Sequence, residues 1–136
     1  MKYALCLTIL LAAPVTARGS DFVLISNASL GDANISRAEL KQIYLGTKTS
    51  LDGQPVEPVI AQSGTFHEQF ISACLGKTET GLRNYFRNLV FSGKGNMPRS
   101  FATSAEVVRY VSKTPGAIGY VDSGADLTGV AKLTLH

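Results

Sequence analysis

Short apolar runs separated by stretches of helical periodicity constrain this chain more than any other feature. Phe22-Val23-Leu24-Ile25 is continuous and uncharged, as a buried strand requires. Ala117-Ile118-Gly119-Tyr120-Val121 repeats the pattern after the turn Thr114-Pro115-Gly116, and residues 56–60 and 130–135 add two further strand candidates. The clearest helix lies over 79–91. There Leu82, Tyr85, Phe86, Leu89 and Val90 recur at i, i+3, i+4, i+7 and i+8, and Arg83, Asn84, Arg87 and Asn88 take the outward face. Ser36-Arg37-Ala38-Glu39 and Thr103-Ser104-Ala105-Glu106 are capping boxes, each opening a helix. Strands alternating with helices predict an α/β layer fold, with about four helices packed on a small, mostly parallel sheet.

Local signals refine this outline. Ile35 and Leu40 are spaced as a hydrophobic staple, Leu40, Ile43 and Tyr44 form the inner face of the first helix, and Gly46 stops it. Residues 47–55 read as a surface loop, and Pro58 places the next strand at an edge or delays its start to Val59. A helix is expected from Thr65 to Leu75, and residues 93–99 read as a loop. The chain has no internal repeat and no low-complexity segment.

The N-terminus carries a different kind of pattern. Lys2 precedes the uncharged run Tyr3 to Ala13, and Val15-Thr16-Ala17 places small residues as a signal peptidase needs them. The run is well short of the roughly 20 residues that span a bilayer. We therefore expect a signal peptide over residues 1–17 and one domain over 18–136, exported to the periplasm with no stable membrane insertion. With Cys6 in the signal, Cys74 alone remains, so no internal disulfide forms and the core must suffice. Its apolar neighbours make it a buried thiol. The net charge of +3 is too mild to indicate a nucleic-acid partner. The cations are nonetheless concentrated between Lys77 and Lys113, where seven basic residues face two acidic ones. Such a segment suits a solvated helix face or an acidic partner.

Signals of catalysis are sparse. His67 and Cys74 share a helix face but stand about 10 Å apart along the axis at 1.5 Å per residue, too far for a dyad. His67 and His136 sit in no nucleophile–base–acid arrangement readable from the sequence, and no metal-ligand spacing or cofactor motif is present. The reading is therefore not an enzyme. One loop has ligand chemistry: Ser63-Gly64-Thr65, between a strand and a helix. A helix N-terminus presents free N–H groups and about half a positive charge, and the two hydroxyls could donate to an oxyanion. Thr65-Phe66-His67-Glu68 also reads as a capping box that would satisfy that helix end internally. Spacing leaves both readings open.

Taken in order, these motifs resemble a known family. Ser36-Arg37-Ala38-Glu39-Leu40 with Ile43-Tyr44-Leu45-Gly46-Thr47-Lys48, then Ser63-Gly64-Thr65 with Phe70, Phe91-Ser92-Gly93-Lys94-Gly95, and Pro115-Gly116-Ala117-Ile118-Gly119-Tyr120-Val121 are similar to landmarks of the phosphate-specific periplasmic substrate-binding proteins of ABC transporters. The resemblance covers roughly residues 22–135. It implies a single lobe of a type II periplasmic binding protein, with phosphate or a similar oxyanion held at Ser63, Gly64 and Thr65. Members carry an Arg and an Asp just before this loop, where this chain has Val59-Ile60-Ala61-Gln62; Lys94 or Arg99 would have to supply the cation. A ligand-free lobe that docks another envelope protein is the alternative the same resemblance allows.

Overall fold

The structure, a computed structural model, describes residues 22–31 and 33–136; the expected signal peptide lies outside the described residues. Strand β1 (Phe22–Ser26) leads through a short 3-10 turn (Ala28–Leu30) and β2 (Asn34–Ile35) to helix α1 (Arg37–Tyr44). A small hairpin of β3 (Ser50–Leu51) and β4 (Gln54–Pro55) precedes β5 (Glu57–Ala61). Helix α2 (Thr65–Phe70) runs on into a π turn (Ile71–Leu75), followed by α3 (Glu79–Phe91), β6 (Arg99–Phe101) and α4 (Ser104–Lys113). The chain closes with β7 (Ala117–Asp122), β8 (Ala131–Lys132) and β9 (Thr134–Leu135).

Five strands form the central sheet in the order β6-β5-β7-β1-β8. β5 pairs in parallel with both β6 and β7, while β1 runs antiparallel to β7 and to β8. Among the described residues only β1 therefore opposes the common direction, and the expected α/β layering, with a mostly parallel sheet and four α-helices, holds there. On one face, Leu24, Ile60, Ile118 and Tyr120 pack with Leu40, Tyr44, Phe70 and Phe86 of α1, α2 and α3. On the other, Ile25, Val59 and Val121 pack with Val107 and Val111 of α4. Gly119 makes the second contact possible: a Cβ there would stand 2.9 Å from Val107 Cγ1 and 3.0 Å from Val59 Cγ2.

Several sequence expectations change on the folded chain. β5 is interior, with β6 on its outer side. Pro58 is tolerated because Glu57 N–H donates to Gly116 O on the β7 side, which turns the proline nitrogen toward β6, and that pairing begins only at Val59. Residues 47–55 hold the β3–β4 hairpin, with Leu51 buried, and β6 occupies the end of the stretch read as a loop. The last strand breaks at Leu133, because β8 pairs with β1 and β9 with β2. Short pieces like these carry too few residues to display a period; their partners define them.

The helices match their signals more closely. Ser36 accepts from Glu39 N–H at 3.1 Å, while the Glu39 carboxylate turns to Lys48 Nζ at 3.2 Å. α3 spans the predicted residues, but Val90 lies at the edge of its apolar stripe and is half exposed.

Candidate functional site

Ser63, Gly64 and Thr65 connect the carboxyl end of β5 to α2, the position at which open α/β sheets collect ligands. All three are exposed. Gly64 is the N-cap, with φ 113° and ψ 158°. A Cβ there would also lie 3.0 Å from Phe66 Cε1, so backbone conformation and space both select glycine. No side chain caps α2. Of the two readings left open by spacing, the capping box of Thr65 and Glu68 is not formed, because Thr65 is already the first helical residue and the extended cap position belongs to a residue without a side chain. Glu68 N–H donates to Gly64 O at 3.1 Å, and the Glu68 side chain is exposed.

The other three α-helices differ in this respect. Ser36, Thr78 and Thr103 each cap their helix through a hydroxyl. The α2 terminus thus presents its first N–H groups beside two exposed hydroxyls. Its positive potential is that of the helix end alone, since Val59-Ile60-Ala61-Gln62 brings no cation and Glu68 adds an acid to the first turn.

Arg99 and Lys94 are not brought to this loop. Arg99 stands opposite Val59 at the amino end of β6, four residues before Ser63, or roughly 13 Å at 3.3 Å per residue. Its guanidinium lies 3.6 Å from Glu57 Oε1 and 5.6 Å over the Tyr110 ring. Lys94 and Arg99 line a different cavity of about 540 Å³, together with Lys48, Tyr44, Glu57 and Leu89. Parallel pairing explains the separation: the loop carrying Lys94 enters β6 at the end opposite to that where Ser63 leaves β5.

Beneath the loop lies a constellation that the sequence did not disclose. His67, in the first turn of α2, is 1% exposed. Its Nδ1 meets the Tyr120 hydroxyl, and its Nε2 lies 2.6 Å from Glu79 Oε2. Ala61 N–H donates to the Tyr120 oxygen at 3.1 Å. One proton arrangement satisfies every atom: Tyr120 donates to Nδ1, and Nε2–H donates to the Glu79 carboxylate. Burial pushes the Tyr120 hydroxyl well above the ordinary tyrosine range, which keeps it a donor. His67 therefore does have an acid and a hydroxyl beside it, separated by 12 and 53 residues in sequence. Tyr120 and His67 are both buried, so the triplet acts as a brace within the fold. It clamps the last residue of β5 to α2 and to the first residue of α3.

Tyr44 plays a parallel part, donating to Val59 O at 3.0 Å, and its burial likewise raises its hydroxyl pKa. Cys74 is a free, buried thiol, raised by burial against a smaller opposing effect of Arg37. Among the described residues, no group of three or more His, Cys, Asp or Glu side chains could hold a metal ion. No described helix is long and apolar enough to cross a membrane.

The chain belongs to the family described as a PBP superfamily domain, whose model matches residues 15–135. Solved structures share the fold. An ABC-type phosphate transport receptor from Vibrio cholerae superposes with TM-score 0.62 at 14% identity, covering 85% of this chain and 46% of its own. A putative phosphate ABC transporter substrate-binding protein with bound phosphate from Clostridium perfringens gives TM-score 0.63 at 16% identity, covering 85% and 44%. PstS from Borrelia burgdorferi gives 0.61 at 16%, covering 85% and 47%. The chain thus spans less than half the length of these structures. No protein of curated function matches it. The family is one of substrate-binding proteins and is not an enzyme class.

Proposed function

We propose that this chain is an exported binding lobe that takes phosphate, or a similar small oxyanion, at Ser63, Gly64 and Thr65, without covalent chemistry. The observation that carries this reading is the α2 terminus: the only α-helix start among the described residues without a side-chain cap, set at the carboxyl end of an interior strand and flanked by two exposed hydroxyls. Backbone N–H groups and hydroxyls would hold the anion. With no fixed guanidinium in the loop, binding is weaker than a bidentate arginine would allow. The bound phosphate in one solved relative supports the choice of anion, and the apolar run at residues 3–13 supports export.

Calorimetric titration with phosphate, with sulfate as control, tests the reading. Saturable heat at millimolar phosphate is expected, lost in Gly64→Val. Ligand at ten times its Kd should also stabilise the fold by about 1.4 kcal/mol. Absence of both heat and thermal shift would remove phosphate from the proposal and leave the lobe as a docking module.

A further inference from the structure

The carboxyl end of α3 and the loop after it carry a surface that the oxyanion reading does not use. The exposed large hydrophobic residues of the described chain are Val90 at 50%, Phe91 at 84% and Met97 at 50%. All three line one shallow cavity of about 260 Å³, with Phe86 at its base and Arg83 and Arg87 beside it. From Thr80 to Ala105 the sequence has no Asp or Glu, but it has Arg83, Arg87, Lys94 and Arg99. Arg83 lies 3.7 Å from Glu79, a contact between half-exposed groups that leaves its charge facing water. An apolar tip is therefore flanked by two arginines.

We propose that this surface docks on an anionic lipid bilayer, with Phe91, Val90 and Met97 entering the interface and Arg83 and Arg87 facing the headgroups. Three observations favour that occupant. The patch is small, made by one helix end and one loop, whereas a stable protein partner buries on the order of 800 Å² per side. Interfacial binding needs only a few apolar side chains and a set of cations near the surface. A second copy meeting the patch by two-fold symmetry would bring like charges together. Met97 also lies two residues before the amino end of β6. The docked domain would then turn the Ser63–Thr65 loop, at the carboxyl ends of the strands, away from the bilayer. This proposal is independent of what that loop binds.

The chain has no tryptophan, so a single Trp reports its own position. We would place it at Phe91 (Phe91→Trp) and, as a control, at exposed Gln42 on α1 (Gln42→Trp), in protein recovered after export from a bacterial host. Vesicles of phosphatidylglycerol and phosphatidylcholine, with brominated acyl chains, should blue-shift and quench the Phe91→Trp emission while leaving Gln42→Trp unchanged. Pure phosphatidylcholine should give neither effect. Arg83→Gln with Arg87→Gln should weaken partition roughly thirtyfold, at about one kcal/mol per cation. Salt should weaken it as well. Emission unchanged on anionic vesicles would overturn the proposal. So would equal partition of the double arginine variant, or a lipid-independent blue shift that grows with protein concentration, which would assign the patch to a second copy. A shift produced by a soluble acidic amphipathic peptide but not by vesicles would assign it to a protein partner, with the same consequence.

Discussion

Two helices start side by side on this sheet and are finished in opposite ways. β5 and β6 pair in parallel, Val59 with Arg99 through Ala61 with Phe101, so α2 and α4 leave from the same end of neighbouring strands. Gln62 N–H even donates to Phe101 O at 2.9 Å, tying the two connections together. At α4, Thr103 Oγ1 accepts from Glu106 N–H at 3.2 Å, and Glu106 Oε2 accepts from Ala102 N–H at 3.1 Å. That terminus is closed by its own side chains. At α2 the cap is Gly64, and no side chain intervenes. The helix dipole is common to both, so accessible donors, and not the dipole, distinguish a ligand site from a structural terminus.

The largest effect is expected from removing the brace under the open terminus. His67→Ala leaves a buried void and takes the acceptor from Tyr120, and should cost about 2–4 kcal/mol in urea unfolding. Amide exchange should quicken at residues 61–66 more than at 101–105; uniform quickening would mean that the triplet braces the whole sheet and not this loop. Thr103→Ala opens the closed terminus. It should cost about 1 kcal/mol and leave phosphate heat unchanged; lost heat would show that the two termini are coupled. The smallest effect is the most direct. Thr65→Asp supplies α2 with a built-in anion, which should stabilise by about 0.3–1 kcal/mol and suppress phosphate binding. Thermal unfolding paired with calorimetry reads both, and undiminished binding would place the ligand elsewhere.

Legibility followed the length of the signal. α3 was readable because thirteen residues complete several helical turns, and α1 and α4 because their caps are local in sequence. β6 was not, since three residues have no period, and the strand expected over 130–135 was readable but its break at Leu133 into β8 and β9 was not. Pro58 misdirected the assignment of β5 because a proline's tolerance depends on which side of the strand has a partner at that residue. The Thr65-Phe66-His67-Glu68 box left the start of α2 open because the same four letters serve as a cap or as a first turn, and a shift of one position separates them.

Composition and pattern, on their own, determined the layer fold, the buried thiol, the loop worth inspecting and the absence of a cation within it. Those are properties of neighbours along the chain, set by periodicity and hydroxyl spacing. Only the tertiary structure decided that Arg99 stands at the wrong end of β6 to help Ser63, that His67 acquires Glu79 and Tyr120, and that Phe91 is left outside. Each of these depends on strand direction or on residues far apart in sequence, and such pairings exist only once the core has closed around them.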